Sequence, residues 1–247
     1  MVIPARFDSK RLPGKPLINI GGYPLLQHAY LAAVNSGATD VIIATDDARI
    51  EAVARGFDAR VVMTSPSHRS GTDRIAEVVT RLRLPGDSIV VNVQGDELDL
   101  PPALIDQVAG NLAGHESAAM ASLYAPVKSL DELNNPNSVK VVVDRQGYAL
   151  FFSRSPIPWK TPAGDAGEMG CRHIGIYAYT SDFLKTYTVL PVCKLEQTER
   201  LEQLRALYHG YRIYMEQANA QTGLEINTPE DLALAFSNRP QRQPTLF

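Results

Sequence analysis

The sequence has few cysteines and no long apolar run. Its 247 residues include two cysteines, Cys171 and Cys193, too few for a disulfide framework or a four-thiolate zinc site. We expect both to be buried, unreactive thiols of a reducing compartment. No run of about 18 apolar residues occurs, and the first residues lack the apolar core of a secretory signal. These absences predict a soluble cytoplasmic protein that does not enter membranes.

The chain also lacks an excess of positive charge. Its 24 Lys and Arg residues stand against 27 Asp and Glu residues, giving a net charge of -3 at pH 7. No general positive field is therefore available to hold nucleic acid or anionic lipid, and any anion site must be local. Hydrophobic residues at 45% and charged residues at 21% are ordinary globular values. With no internal repeat and no dividing linker, we expect one domain over residues 1–247.

The first half of the chain alternates short β-branched runs with helical patterns, which predicts an α/β fold with a parallel sheet. The predicted strands cover 1–3, 41–44, 61–63 and 89–93, and the predicted helices cover 25–36, 48–55 and 72–82. In such sheets ligands bind beyond the carboxyl ends of the strands. The segments to examine are therefore 4–16, 45–47 and 94–97.

The second half has a different pattern. Strands at 139–144 and 150–153 flank Gln146-Gly147, a turn dipeptide, and predict an antiparallel hairpin. A strand at 174–179, a helix at 196–208 and a strand at 211–215 follow, so a β-rich excursion covers roughly 124–190. Thr228-Pro229 followed by two acids predicts a helix that runs to about 236. We expect the tail at 239–247 to be frayed.

The first predicted strand leads into a basic loop, PARFDSKRLPGKP at 4–16. Four cations within ten residues, stiffening prolines and Gly14 suit a phosphate cradle, although an exposed basic loop would have the same composition. The loop contains neither GxxxxGK[ST] nor GxGxxG. A phosphate site here would therefore be of another type.

The fourth predicted strand ends in NVQGDE at 92–97. Carboxylates at the end of a buried strand, facing a basic loop, could hold Mg²⁺ against phosphates, and Asp96 is the better ligand candidate. A polar turn is the alternative. Asp46 and Asp47 are similarly open between a helix N-cap and a base or ribose contact.

Nine segments occur in one order that is similar to a known family. They are PARFDSKRLPGKPL (4–17), ATDD (44–47), SGTDRIAEV (70–78), VNVQGDE (91–97), NPNSVKVVVD (135–144), FSRSPIPW (152–159), RHIGIYAY (172–179), LEQLRAL (201–207) and NTPEDL (227–232). Together they closely resemble the cytidylyltransferases that activate 3-deoxy-manno-octulosonate (Kdo), the sugar acid of the lipopolysaccharide inner core. Each motif alone is weak, but the ordered set spans nearly the whole chain.

The resemblance implies a Rossmann-like nucleotide-diphospho-sugar transferase fold with an inserted β-rich dimerisation and sugar-binding region, and a homodimer. It implies that CTP and Kdo give CMP-Kdo and pyrophosphate with Mg²⁺. The implied nucleotide-binding residues are Ala5, Arg6, Lys15, Ser70, Thr72 and Arg74. The implied sugar-binding residues are Gln94, Arg154, His173, Tyr177, Glu202 and Gln203. Arg6, Lys15 and Asp96 are the implied catalytic residues, and Asp96 is an implied metal ligand.

The sequence departs from the family pattern at two places. Asn227 occupies the position of a second magnesium-binding aspartate, which should weaken metal binding or change the number of metals held. Leu98, followed by Asp99, replaces the usual proline. One hypothesis is an acceptor such as the 8-amino analogue of Kdo, whose ammonium Asp99 or Glu225 could balance. The alternative is neutral drift with Kdo as the acceptor.

Two other functions stay open at this point. A CMP-sialic acid synthetase would share the basic loop and act on a carboxylated sugar, although FSRSPIPW and RHIGIYAY favour Kdo-type acids. A CTP-binding regulatory paralogue could have lost metal competence through Asn227. Neither the net charge nor any motif indicates a nucleic-acid partner.

Overall fold

The computed structural model describes residues 1–8, 12–68, 70–159 and 170–238. The chain divides into two compact units. The first comprises Met1–Leu84, Val90–Asp106 and Ala220–Phe247, and the second comprises Pro85–Ile89 and Gln107–Asn219. The predicted β-rich excursion at 124–190 falls within the second unit, whereas the predicted frayed tail lies outside the described residues. No helix in the described ranges is long and apolar enough to cross a bilayer.

The elements alternate through the first half of the chain as its sequence pattern predicts. The strands are β1 (Val2–Ala5), β2 (Asn19–Ile20), β3 (Tyr23–Pro24), β4 (Ile42–Thr45), β5 (Arg60–Met63), β6 (Ile89–Asn92), β7 (Glu97–Leu98), β8 (Met120–Pro126), β9 (Lys140–Val143), β10 (Ala149–Ser153), β11 (Cys171–Thr180), β12 (Ile213–Gln217) and β13 (Leu224–Glu225). The helices are α1 (Leu25–Val34), α2 (Ala48–Arg55), α3 (Gly71–Arg81), α4 (Pro102–Ala113), α5 (Leu130–Asn134), α6 (Ser181–Val189), α7 (Lys194–Glu199), α8 (Gln203–Tyr208) and α9 (Pro229–Asn238), with a 3-10 turn at Lys15–Leu17.

The first unit contains a parallel sheet with the strand order β6, β1, β4, β5. Strands β1 and β4 are buried along their whole length, because neighbouring strands flank them and helices cover such sheets. Val2 lies opposite both Ile42 and Asn92, so the carboxyl ends of β1, β4 and β6 share one edge. The predicted parallel α/β half is confirmed.

The last segment of the chain packs back onto the first unit. Strand β13 pairs antiparallel with β7, placing Leu224 opposite Leu98. Leu98 is 2% exposed and joins an apolar cluster with Ile20, Leu25, Ile226 and Ala235. The leucine that replaces the family's proline therefore fills a core, a role that the sequence departure alone did not reveal.

The second unit is mainly antiparallel, with the strand order β10, β9, β11, β8, β12, of which only the β8–β12 pair is parallel. The predicted hairpin is present as β9 and β10, with Gly147 at φ 85° in its turn. Strand β8 was not predicted from the sequence. Its residues, MASLYAP, include alanine, serine and proline, which favour strands little.

The helix predicted over 196–208 is wrong as a single element. Helix α7 ends at Glu199, Arg200 adopts a left-handed conformation with φ 53°, and α8 begins at Gln203. The Glu199 carbonyl accepts the Arg154 Nε–H at 2.7 Å, outside any helix. The expectation for the cysteines is half correct: Cys193 is buried, but Cys171 is only half-buried.

Candidate active site

The basic loop after β1 folds back on itself. Gly14 has φ 69°, and a side chain there would place its Cβ 3.1 Å from the Phe7 ring. The Gly14 N–H also donates to the Phe7 carbonyl at 2.9 Å, which brings Lys15 back towards the end of β1. The Arg49 guanidinium stacks over the Phe7 ring, with its central carbon 3.3 Å from the ring centroid. Lys10 and Arg11, two of the four loop cations, lie outside the described residues.

A cavity of about 240 Å³ opens at the carboxyl ends of β1 and β6 within the first unit. Its lining includes five residues predicted from the resemblance, namely Ala5, Arg6, Lys15, Gln94 and Asp96. Asp8 also lines it and was not predicted, since a carboxylate inside a basic loop gives no separate sequence signal. The structure thus brings together the basic loop and the acidic strand end.

Two glycines allow the walls of this cavity to approach each other. A Cβ at Gly95 would lie 3.1 Å from the Pro4 carbonyl oxygen and 3.3 Å from Leu26. A Cβ at Gly71, the first residue of α3, would lie 3.2 Å from Pro4 Cγ. The N-terminus of α3 is therefore held against β1, and backbone N–H groups at a helix start favour anions.

Ser70 and Thr72, two of the predicted nucleotide-binding residues, flank Gly71 at this helix start. Ser70 is the N-cap, and its Oγ accepts the Asp73 N–H at 3.1 Å. Thr72 is buried at 1% exposure. The backbone around Ser70 is thus fixed by capping, and Gly71 between the two residues reaches the cavity.

Arg6 is anchored to the same segment through backbone carbonyls. Its Nη2 donates to the His68 carbonyl and, at 3.3 Å, to the Ser70 carbonyl. Burial and the nearby Arg74 charge lower the pKa of Arg6, while Asp46 and Asp73 act in the opposite direction. An arginine normally titrates so far above neutrality that it stays a cation. It therefore presents positive charge to the cavity in a fixed orientation.

Lys15 joins the loop to the two predicted metal ligands. Its ammonium bonds Asp96 Oδ2, the Ile226 carbonyl at 2.8 Å and Asn227 Oδ1 at 3.4 Å. Asp231 holds Asn227 in place by accepting its backbone N–H at 2.9 Å. The same carboxylate accepts the Thr228 N–H, and Thr228 Oγ1 accepts the Asp231 N–H, which confirms the predicted capped start of α9.

The donor set at Asp96 and Asn227 fits Mg²⁺. Asp96 Oδ1 is buried and bonds no described residue, although a buried carboxylate oxygen normally has a partner. Within the described ranges, no group of three or more His, Cys, Asp or Glu residues could hold a metal. One carboxylate and one amide oxygen, completed by phosphate oxygens and water, is nevertheless a set that magnesium accepts.

Arg74, predicted to line the nucleotide pocket, is fully buried and pairs with Asp46. Its Nη2 lies 3.0 Å from Asp46 Oδ2, and its Nη1 donates to Thr64 Oγ1. Asp47, by contrast, is the N-cap of α2, where it accepts the Arg49 N–H at 2.9 Å. The two acidic residues therefore have different roles: Asp47 caps the helix, and Asp46 pairs with Arg74.

The second unit holds the remaining predicted sugar-binding residues. His173 Nε2 lies 2.9 Å from Ser122 Oγ, which itself donates to the Ile176 carbonyl at 2.7 Å. The imidazole therefore donates to the serine. Burial, and then the Arg172 charge, lowers the pKa of His173 to about 3, so the ring is neutral near pH 7. The Tyr177 ring centroid lies 5.3 Å from that of His173, although the register of β11 shifts between Ile174 and Tyr177.

Glu202 and Gln203 lie where the predicted single helix is interrupted. Glu202 precedes α8 as its N-cap residue, and its carbonyl accepts the Tyr187 hydroxyl at 3.0 Å. Gln203 is 3% exposed. The break at Arg200 thus gives these two side chains a different setting from the solvated helix face that periodicity alone would favour.

The chain is similar to known proteins over most of its length. The cytidylyltransferase family profile matches residues 1–213. The chain is 52% identical over 238 residues to a 3-deoxy-manno-octulosonate cytidylyltransferase of Vibrio campbellii, with 94% of each chain covered. It is 51% identical to the protein of the same name in Vibrio vulnificus, with 95% of each covered. A solved CMP:2-keto-3-deoxy-manno-octonic acid synthetase complexed with CTP superimposes with a TM-score of 0.88 at 39% identity and 96% coverage of each chain.

Proposed function

Because this chain belongs to the cytidylyltransferase family, we propose that it transfers CMP from CTP to the anomeric hydroxyl of Kdo and releases pyrophosphate. Relatives that are about 50% identical to this chain over nearly their whole length are named 3-deoxy-manno-octulosonate cytidylyltransferases. A protein with the same fold was solved with CTP. The observation that carries the proposal is the cavity where Arg6, Lys15 and Asp96 meet. The product serves lipopolysaccharide biosynthesis.

The cavity suits the triphosphate of CTP. In the reaction the sugar hydroxyl oxygen bonds the α-phosphorus, the bond from that phosphorus to the bridging oxygen breaks, and pyrophosphate departs with its electron pair. Arg6 and Lys15 place two cations at the end of β1, where they bind the phosphates and offset the charge that the leaving group gains. The helix start at Gly71 adds backbone donors. No covalent enzyme intermediate is needed.

We propose that Asp96 and Asn227 hold Mg²⁺ with the phosphates. When bound, the metal would neutralise phosphate charge and favour an in-line attack. Lys15 now occupies one oxygen of Asp96 and contacts Asn227, so it must turn towards the phosphates as the metal binds. The unpartnered Oδ1 of Asp96 supports this assignment.

From the family resemblance, we propose that Arg154, His173, Tyr177, Glu202 and Gln203 of the second unit bind the sugar acid; Gln94, the sixth residue that the resemblance implies, lines the cavity of the first unit. Arg154 suits the sugar carboxylate, since a guanidinium pairs with a carboxylate through two parallel hydrogen bonds. The neutral His173 beside Tyr177 supplies hydrogen-bonding and apolar surface for sugar hydroxyls. A homodimer, which the family resemblance implies, and a cytoplasmic location are also part of the proposal. Sedimentation of the purified chain measures the assembly directly.

A second acceptor, the 8-amino analogue of Kdo, is favoured by one observation. Glu97 faces Glu225 across the β7–β13 pair, with Asp99 following at φ 61°. We propose the amino sugar as the second candidate because a carboxylate of this acidic group could balance an ammonium on the acceptor.

Pyrophosphate release from CTP with Mg²⁺ tests these assignments. Kdo, its 8-amino analogue and a sialic acid are supplied in parallel at matched concentrations. A higher kcat/KM for Kdo supports the main proposal, and a higher value for the amino sugar supports the second acceptor. Preference for the sialic acid would refute both. CTP binding without turnover on any of the three would instead identify a regulatory paralogue.

A further inference from the structure

Lys140 is a fully buried lysine in the segment NPNSVKVVVD, to which no role has yet been assigned. Its side chain is 0% exposed. Its ammonium donates to three backbone carbonyls, those of Asn135 at 2.9 Å, Ser138 at 2.6 Å and Arg154 at 2.7 Å. An ammonium has three donors, and each has one acceptor here. Lys140 therefore ties the loop before β9 to the backbone of Arg154.

Glu199 binds the same arginine through both its side chain and its backbone carbonyl. Its Oε2 accepts the Arg154 backbone N–H at 2.9 Å, and its Oε1 accepts the Ser153 hydroxyl at 2.6 Å. Its carbonyl accepts the Arg154 Nε–H at 2.7 Å. The break after Glu199 that ends α7 is thus what leaves this carbonyl available to the arginine.

The Arg154 guanidinium is consequently held at two of its three nitrogens. Nε donates to the Glu199 carbonyl, and Nη1 donates to the Pro136 carbonyl at 2.8 Å. Pro136 lies between the two loop carbonyls that Lys140 binds. A guanidinium has five N–H donors, so three remain, and no described residue accepts from Nη2. The end formed by Nη1 and Nη2 has the spacing that a carboxylate requires.

The charges around Lys140 are consistent with a structural cation. Burial, and then the charge of Arg154, lowers the pKa of Lys140, whereas Glu199 and Glu132 act in the opposite direction. A buried lysine is costly to keep unless all its donors are bonded. Here every donor is used to fix backbone that surrounds a single arginine.

We infer that Lys140 and Glu199 are positioning residues that orient the Arg154 guanidinium for the carboxylate of the sugar acid. This inference rests on the proposed function for the identity of the ligand. It adds two residues that do not touch the substrate, act only through Arg154 and lie outside the predicted site. Their effect should therefore disappear when Arg154 is removed.

A double-mutant cycle tests this inference. Lys140→Met and Glu199→Gln are each made in the native chain and in an Arg154→Ala background, and pyrophosphate release is measured against the sugar acid and against CTP. In the native background we expect kcat/KM for the sugar acid to fall about 10- to 100-fold, because small misplacements of positioning groups have such effects. The KM for CTP should change less than about twofold. In the Arg154→Ala background neither substitution should lower kcat/KM further.

Stability loss is separated by a control and by a second variant. Leu112→Ala removes a buried side chain of the same unit and should lower the melting temperature while leaving the sugar KM unchanged. If Lys140→Met does not fold, Glu199→Gln decides the question. Equal losses with and without Arg154, or an unchanged sugar KM in folded variants, would overturn the inference.

A spectroscopic readout keeps this test independent of turnover. The Arg154 Nε–H, bonded to the Glu199 carbonyl, should give a slowly exchanging arginine signal in ¹⁵N NMR, assigned by its loss in Arg154→Lys. Lys140→Met and Glu199→Gln should each accelerate its exchange at least tenfold, and unchanged exchange would refute positioning. A native enzyme that is silent with Kdo but keeps this behaviour would refute the proposed function alone.

Discussion

The Arg74–Asp46 pair provides a sharp test of how the first unit is stabilised. Arg74 is 0% exposed, whereas the Asp46 side chain is 20% exposed. Removing one member of a buried pair costs about 3–5 kcal/mol, because the other charge is left without compensation. The cost should depend on which charge remains. The carboxylate can reach water, but the guanidinium cannot.

Asp46→Asn should therefore be the more damaging change, at about 3–5 kcal/mol. Arg74→Met should cost less, about 1–3 kcal/mol. The Nε of Arg74 is buried without a hydrogen bond to any described residue, which destabilises the native chain, and the substitution removes that unfavourable contribution. In the double variant no unpaired buried charge remains. Its destabilisation should be close to that of Arg74→Met alone.

Urea unfolding of the three variants measures these free energies, with CTP absent so that ligand binding does not contribute. The coupling energy from the cycle should reach at least about 2 kcal/mol. Additive losses, or an Arg74→Met variant less stable than Asp46→Asn, would refute the reasoning. Glu51→Gln, which removes the half-buried partner of the exposed Arg55, is the matched control and should cost less than about 0.5 kcal/mol.

Four further outcomes are expected. Asp96→Asn should lower kcat at least about 100-fold in a chain that still folds; near-normal turnover at saturating Mg²⁺ would refute the metal assignment. Asn227→Asp adds a carboxylate and should lower the Mg²⁺ concentration for half-maximal rate about tenfold, whereas an unchanged magnesium dependence would place residue 227 away from the metal. Because the folded pKa of His173 is lowered to about 3, the unfolded chain binds more protons between that pH and about 6.5, so stability should fall as the pH decreases through this window, by at most about 1.4 kcal/mol per unit from this group; His173→Gln should reduce the slope in urea titrations, and an identical slope would contradict this. Gly95→Ala should cost about 1–3 kcal/mol in urea unfolding, because its Cβ would press on the Pro4 carbonyl, and an unchanged midpoint would show that β1 yields freely.

Much of the first unit could be predicted because local signals and the fold agree there. The runs that form β1, β4 and β6 are short, apolar and followed by polar residues, as central parallel strands require. Ordered motifs added the nucleotide and sugar residues, which single residue types could not have identified. The same motifs did not explain Leu98, because its apolar partners come from two parts of the chain that are distant from it in sequence.

Other features depend on contacts that leave no periodic signal. The interruption at Arg200 falls within a pattern that is helical throughout, and it coincides with the contact of Glu199 with Arg154. Lys140 occupies a strand whose neighbours are apolar, and nothing in the sequence indicates that its ammonium bonds three carbonyls. The roles of such residues can be identified only from the folded structure.

The cluster around Leu98 also constrains the order in which the molecule can mature. Ile20 and Leu25 are synthesised before Leu98, and Ile226 and Ala235 are synthesised after it. A nascent chain that has made the parallel strands still exposes apolar surface and lacks the carbonyl of Ile226 that Lys15 binds. Contacts so distant in sequence form late because closing long loops is entropically costly. Translation must therefore pass Ile226 before Lys15 can form all of its contacts, and until then the growing chain exposes apolar surface that is prone to aggregation.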